Sequence, residues 1–153
     1  MLQLSYPIIV NSPQVNHLTA EQLWTGLLLR VMEPMRFTVG LERAHVSQVD
    51  DETFERVLYF GEHEICDEVK LVYARSVQFT TVANEHAPQG RLRYEIQNHA
   101  EQGLVLLCEY QTEFPEPDSD EVRQLLEMVK NAYLMADEEM LCIIREEAHL
   151  MRH

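Results

Sequence analysis

Polar side chains inside otherwise apolar stretches are the first candidates for chemistry in this chain. Arg43, His45 and Arg56 all lie in segments with the alternation of a strand. Arg43 and His45 are two residues apart, so they share one face. If that face turns inward, both could orient a carbonyl or carboxylate of a ligand, or take part in proton transfer. If it turns outward they are solvated, because a register shift of one residue exchanges the two faces.

A carboxylate lies within the C-terminal segment, where apolar residues recur at helical spacing. Asp137 follows Tyr133 by one helical turn, and Lys130 lies one heptad earlier on the same flank. A partly buried carboxylate there could act as an acid or a base. The alternative is a boundary residue that forms an ion pair with a lysine or an arginine.

Aromatic and methionine side chains are predicted to face the interior. Tyrosine combines an apolar body with one hydroxyl, and methionine adapts its shape, so both suit a ligand pocket. The alternative is ordinary core packing. Together with His45 and Asp137, the predicted cavity residues are Trp24, Tyr94, Tyr110, Met128, Tyr133 and Met140.

Neither a metal site nor a nucleophile is predicted. His63 and Cys66 point to opposite faces of one strand, and the helical pair His149 and His153 has no third ligand in view. The sequence contains no GxSxG, CxxC, GxGxxG or P-loop pattern. We therefore expect no metal and no cofactor, and no catalytic residue can be assigned.

Composition excludes several classes of function. The 153 residues include 26 acidic and 12 basic side chains, a formal net charge of -14. This charge repels nucleic acids and anionic membrane surfaces, and no apolar run approaches the ~18 residues of a membrane-spanning helix. We expect one domain over residues 1–153, no nucleic-acid binding and no membrane insertion.

The cellular location is predicted from the ends and the thiols of the chain. The first residues lack the basic and small-residue pattern of a secretory signal. Cys66, Cys108 and Cys142 lie in apolar contexts, which indicates reduced and buried thiols. These observations favour a cytoplasmic protein.

The elements that must position these residues follow from periodicity and caps. Residues Leu2–Val10 read as a strand. Thr19 and Gln22 form a capping box for a helix that ends before Pro34. A second helix of about 30 residues starts near Asp118, which is a candidate N-cap.

Between the helices, the apolar period changes to two and turn residues recur at meander spacing. The predicted strands are Leu41–Val49, Thr53–Phe60, Glu64–Ala74, Ser76–Ala83, Arg91–Asn98 and Gly103–Phe114. The last two strands alternate most clearly, and their one apolar face must be buried against another element. The apolar stripe of the C-terminal helix is predicted to pack on it. The predicted fold is α+β, with a seven-stranded curved antiparallel sheet wrapped around that helix.

This order of elements resembles the helix-grip fold of the START-like superfamily, also called SRPBCC or Bet v 1-like. The segments Leu18–Leu27, Ala132–Asp137 and Ile143–Glu146 are most similar to the small AtaL-like family. The resemblance covers essentially the whole chain. It implies a cavity between the concave sheet face and the helix, which in similar proteins holds lipids, polyketides, hormones or other apolar molecules.

Three classes of function stay open at this point. The leading expectation is a binding protein for a small hydrophobic or amphipathic molecule. The resemblance also implies a polyketide cyclase or aromatase-like enzyme as an alternative. A protein-interaction module with an acidic outer face is the third class, and a homodimer is possible through helix residues off the stripe, such as Leu134 and Met135.

Overall fold

Antiparallel strands and two helices account for most of the chain, as the sequence predicts. The computed structural model describes residues 2–85, 87–113 and 116–151. Helix α1 spans Ala20–Met32, a single 3-10 turn follows at Pro34–Arg36, and helix α2 spans Asp120–Met151. The strands are β1 (Leu2–Ile9), β2 (Arg43–Asp50), β3 (Thr53–Phe60), β4 (His63–Val72), β5 (Ser76–Thr81), β6 (Gly90–His99) and β7 (Gly103–Thr112).

All seven strands form one curved sheet in the order β1-β7-β6-β5-β4-β3-β2. Strands β2 to β7 are a simple meander, and β1 lies against β7 at the far edge. The predicted α+β arrangement, including the long C-terminal helix, is confirmed. Because β1 pairs with β7, polar groups of the concave face that are distant in sequence come to lie side by side.

Strand ends differ from the sequence-based bounds by a few residues. Strand β4 ends at Val72, and Ala74 takes a left-handed backbone conformation with φ of 59° in the turn before β5. A positive φ is uncommon for a residue other than glycine, which is why this turn carries so weak a signal in the sequence. The predicted strand end at Phe114 lies outside the described residues.

Both helices begin at a side-chain cap. The Thr19 hydroxyl accepts a hydrogen bond from the Gln22 amide at 3.1 Å, and the Gln22 side chain accepts one from the Thr19 amide at 2.9 Å. The capping box of α1 is thus confirmed. For α2 the cap is Ser119 and not Asp118, because the Ser119 hydroxyl accepts from the Val122 amide at 3.2 Å.

Helix α2 is about 48 Å long at 1.5 Å per residue, and its two halves differ. In the second half Met140, Leu141 and Ile144 are each 1% exposed and complete the core. The first half lies at the surface, with Leu125 and Met128 exposed. Only the second half therefore closes the sheet by apolar packing.

The two helices meet at a glycine. A Cβ atom at Gly26 of α1 would lie 2.4 Å from a side-chain carbon of Ile144 in α2. No side chain fits in that space without movement of a buried, branched neighbour. Gly26 therefore sets how closely α1, and with it Arg30 one turn later, approaches the core.

The concave face of the sheet is built from cross-strand rows. Tyr6 of β1, Cys108 of β7 and Tyr94 of β6 are direct neighbours in one row. The next row contains Tyr110, Leu92 and Phe79 on β7, β6 and β5. Because side chains alternate in direction along each strand, both rows point toward the helices.

Candidate functional site

A cavity of about 300 Å³ lies between the concave sheet face and the helices. Its apolar wall comes from strands β3 to β6, through Leu58, Ile65, Phe79 and Leu92. Its polar lining includes Arg30, Arg56, Asp67, Thr81, Tyr110 and Tyr133. An apolar pocket with a few converging polar groups is the usual form of a small-molecule site.

A buried carboxylate lies directly behind one wall of this cavity. Asp137 of α2 has no exposed surface. Its carboxylate accepts hydrogen bonds from the hydroxyls of Tyr6 and Tyr94, and from that of Tyr110 at 2.8 and 2.9 Å. A buried charge is tolerated where such donors satisfy it. The four side chains, which we call the Asp137 cluster, join α2 to three strands.

The tyrosines of the Asp137 cluster are held in the protonated form. Burial raises the pKa of Tyr6, Tyr94 and Tyr110 well above the ordinary value of 10.0, and the Asp137 charge adds to this effect in all three. Burial and the same carboxylate also raise the pKa of the Cys108 thiol. These groups therefore act as hydrogen-bond donors near neutral pH and not as nucleophiles or bases.

Tyr110 belongs both to the Asp137 cluster and to the cavity wall. Its hydroxyl donates to Asp137, while its ring stacks on Tyr133 with centroids 4.2 Å apart and planes 6° apart. Both rings line the cavity. The Asp137 cluster thereby fixes the orientation of one aromatic wall.

An ion pair between Arg56 and Asp67 forms a second polar part of the cavity lining, in addition to the tyrosines. Arg56 of β3 donates to both carboxylate oxygens of Asp67 on β4, at 2.8 and 2.6 Å, and both side chains are buried. A third nitrogen donates to the Val31 carbonyl in the last turn of α1, at 3.2 Å. Asp67 therefore neutralises the Arg56 charge. Arg56 also supplies a donor to one of the backbone carbonyls at the C-terminal end of α1, which lack a partner within the helix.

Arg30, in the last turn of α1, approaches the cavity from above the sheet. Its guanidinium carbon lies 5.8 Å from the ring centroid of Phe79 and 5.5 Å from that of Tyr94. Burial alone would lower the pKa of Arg30, but the oxygens of Tyr94, Tyr110 and Asp137 raise it above its ordinary value. Arg30 therefore remains a cation inside the protein.

The predicted cavity residues divide into lining and core. Of the eight, Tyr110 and Tyr133 line the cavity. Tyr94, Asp137 and Met140 are buried next to it, and none of the three reaches its surface. Trp24 is 5% exposed and packs edge-on against Tyr73 at 6.0 Å, so it is a core residue of α1.

His45 and Met128 do not face the interior, which corrects two of the predictions. Strand β2 places Val46 opposite the inward-facing Arg56, so His45 and Arg43 lie on the outer face, and His45 is exposed beside Ser47. Met128 is 68% exposed because the first half of α2 does not pack on the sheet. Neither side chain can reach a ligand in the cavity.

Polar residues of the site that were not predicted from the sequence include Arg30, Asp67 and Tyr6. Asp67 lies between Ile65 and Val69 at strand spacing, Tyr6 lies between Leu4 and Ile8, and Arg30 is three residues after Leu27 on the apolar face of α1. A polar residue at an apolar position of the local period was the available signal.

Candidate metal ligands and thiols are the remaining residues singled out in the sequence. Within residues 2–85, 87–113 and 116–151, no three His, Cys, Asp or Glu side chains are grouped so as to hold a metal ion. His153 lies outside the described residues. The prediction of buried thiols holds for Cys108 only, because Cys66 is half-buried and Cys142 is exposed on α2.

The family of the chain follows from a sequence comparison. The family model AtaL, acetylaranotin biosynthesis cluster protein L, matches residues 3–149. The chain belongs to the AtaL family. No curated protein matches it significantly in sequence.

Solved structures similar to this AtaL-family protein share its fold at low sequence identity. The Zhui aromatase/cyclase from Streptomyces sp. R1128 has a TM-score of 0.62 and 15% identity, covering 99% of this chain and 94% of its own. Human STARD10 has a TM-score of 0.66 and 9% identity, covering 98% of this chain and 66% of its own. Together with the order of strands and helices, they show that the chain has the helix-grip fold.

A third similar structure is longer than the AtaL-family chain. The di-domain ARO/CYC StfQ from the steffimycin biosynthetic pathway has a TM-score of 0.66 and 12% identity. The match covers 96% of this chain but 51% of that protein, so the chain spans about half of its length. No helix in the described part of the AtaL-family chain is long and apolar enough to cross a membrane.

Replacement of Asp137 by asparagine tests the role of the Asp137 cluster. Asp137→Asn removes the charge and turns an amide donor toward hydroxyls that already donate. We expect the free energy of unfolding, measured by urea denaturation, to fall by about 2–3 kcal/mol. The adjacent, exposed Glu138→Gln should change it by less than about 0.5 kcal/mol. Equal stabilities of the two variants would contradict this role.

Alkaline pH should destabilise the protein through the same tyrosines. The pKa of these tyrosines is higher in the folded than in the unfolded state. The stabilisation that they give the folded protein is therefore complete below pH 10.0 and is lost as the pH rises above it. We expect at least three of the six phenols to ionise only on unfolding, seen as phenolate absorbance against a control in denaturant. Tyr6→Phe should reduce the fall in unfolding free energy above pH 10.0 by about 1.4 kcal/mol per pH unit. Ionisation of all six phenols in the folded protein would contradict the prediction.

Proposed function

We propose that this AtaL-family protein binds a small amphipathic organic molecule in the cavity between the sheet and the helices. The observation that carries the proposal is the cavity itself, about 300 Å³ with aromatic and aliphatic walls and a few converging polar groups. The volume is at the lower end of the range of ligand pockets. A ligand of one or two rings with a short polar group suits these dimensions.

Binding is favoured over catalysis because the cavity lacks a free base among the described residues. Asp67 lines it but accepts two hydrogen bonds from Arg56. Asp137 accepts hydrogen bonds from three tyrosines and does not reach the cavity surface. A carboxylate held in this way is a poor acceptor for a substrate proton.

A polyketide cyclase or aromatase-like reaction is the second candidate. Two observations favour it: polar groups converge on the cavity, and two of the similar structures are named as aromatase/cyclase proteins. Guanidinium groups could polarise a ligand carbonyl, while aromatic walls could fold a flexible chain. Such a reaction would still need a proton acceptor.

A protein-interaction function has less support, because the interior contains a cavity and is not completely filled. The homodimer stays a prediction. The exposed Leu125, Met128 and Met135 on α2 are where such a contact would form. A cytoplasmic location likewise stays a prediction.

Filling the cavity should abolish ligand binding. N-Phenyl-1-naphthylamine, a neutral apolar fluorophore, serves as the probe and calorimetry as the measurement. We expect one-to-one binding by the wild type and at least tenfold weaker binding by Leu58→Trp, which enlarges a half-buried side chain in the cavity wall. The matched control is Leu29→Trp, a half-buried leucine in the separate groove between α1 and α2.

Two outcomes of this experiment would contradict the proposal. One is the absence of stoichiometric binding by the folded wild type. The other is loss of binding in Leu29→Trp alone, which would move the site to the helix groove. Circular dichroism shows whether each variant is folded.

The choice between binding and enolate chemistry can be measured directly. Because no free base lines the cavity among the described residues, we expect the α-protons of acetophenone in D2O to exchange no faster with protein than with buffer. The exchange is followed by NMR. An acceleration that Leu58→Trp abolishes would favour the cyclase or aromatase class.

A further inference from the structure

Two arginines of the cavity, the buried Arg56 and the half-buried Arg30, differ in how many of their donors have a protein partner. Arg56 has a bidentate carboxylate and a backbone carbonyl as partners. Among the described residues, the Arg30 side chain makes one hydrogen bond, from Nη1 to the Met140 sulfur at 3.4 Å. A thioether is a weak acceptor, whereas a guanidinium offers five N–H donors. Most of the Arg30 donors therefore have no protein partner among the described residues and are accessible from the cavity.

No carboxylate forms an ion pair with Arg30 in the described part of the chain. Asp137 acts on it electrostatically, but both Asp137 oxygens already accept hydrogen bonds from tyrosine hydroxyls. The rings of Phe79 and Tyr94, at 5.8 and 5.5 Å, stabilise the cation but accept no ordinary hydrogen bond. A cation placed in this way normally has an anionic or polar partner.

The cavity is electropositive inside an acidic protein. Three arginines, Arg30, Arg56 and Arg91, and one carboxylate, Asp67, line it, which gives a formal charge of +2. The whole chain carries -14. Asp137, behind the wall, offsets part of this charge, but it does not contact the cavity. The acidic surface and the basic lining together favour an anion at this one internal position.

We propose that the ligand carries an organic oxyanion, such as a carboxylate or an ionised phenol or enol, and that Arg30 binds this group. The proposal rests on the proposed ligand-binding function and names the chemical class of the ligand. The oxyanion lies under the last turn of α1. The apolar part of the ligand extends along Phe79 and Leu92 toward Leu58 and Ile65.

A pair of probes that differ only in charge tests this proposal. 2-Naphthoate and 2-naphthamide have the same fused rings, but only the first is an anion near neutral pH. We expect wild-type protein to bind 2-naphthoate at least tenfold more tightly in calorimetry. The -14 net charge repels the anion at long range, so a preference for it must come from local contacts.

Arg30→Gln should remove this preference. We expect its affinity for 2-naphthoate to fall at least tenfold, with less than a threefold change for 2-naphthamide. Arg75→Gln is the matched control, because it removes one positive charge from an exposed residue outside the lining and should preserve the preference. Arg30→Lys, which keeps the charge without the planar fork, should bind 2-naphthoate with intermediate affinity.

The outcomes separate the two proposals. If 2-naphthamide and the neutral fluorophore bind but wild type shows no preference for 2-naphthoate, the role of Arg30 is wrong and the binding function stands. The same conclusion follows if Arg30→Gln retains the preference. If no probe binds to the folded wild type, the binding function itself is wrong. The wild-type comparison decides the question even if Arg30→Gln does not fold.

Discussion

The hydrogen bonds to Asp137 are the interaction on which the rest of this structure depends. A carboxylate without exposed surface requires partners, and it obtains them from strands β1, β6 and β7. Apolar packing by itself would allow α2 to rotate or slide by small amounts over the sheet. Because the Asp137 carboxylate must accept from three hydroxyls at once, α2 is held in one rotation and one position on the sheet.

The form of the cavity follows from that position. Asp137 is near the middle of α2, and packing beyond it, through Met140 and Ile144, is tight. Before it, Tyr133 turns toward the sheet and stacks on Tyr110, while Leu125 and Met128 are exposed. The interior beneath this half of α2 is therefore left to the side chains that line the cavity. One helix thus closes the core with one half and borders the cavity with the other.

The sequence predicted the strands and helices well, because each depends on residues that are close together in the chain. The alternation of apolar and polar residues predicted strands β6 and β7, and the capping box at Thr19 predicted the start of α1. Strand β2 was harder, since it is an edge strand whose residues are mostly exposed on both faces. With little apolar contrast between the faces, the side on which His45 lies could not be decided from the pattern.

The candidate site was predicted only in part, for a different physical reason. Asp137, Tyr94 and Tyr110 were recognised as candidates, but their shared hydrogen bonds join residues that are distant in sequence. Arg30 and Asp67 interrupt apolar patterns, and such interruptions are normally assigned to the surface. Their burial depends on partners or rings from other elements, and a local pattern contains no information about these.

The negative charge of the surface and the positive charge of the cavity lining act on a ligand at different distances. At physiological ionic strength, interactions between exposed charges are largely screened beyond about 8 Å. The acidic surface therefore affects how often an anion approaches, and has little effect on how tightly it is held. Partly buried charges are screened much less, and the Arg30 guanidinium lies 5.8 and 5.5 Å from the rings of Phe79 and Tyr94 before a ligand arrives. In the proposed binding mode, selectivity for an anion therefore depends on one helix residue, whose neighbour Tyr94 belongs to the Asp137 cluster.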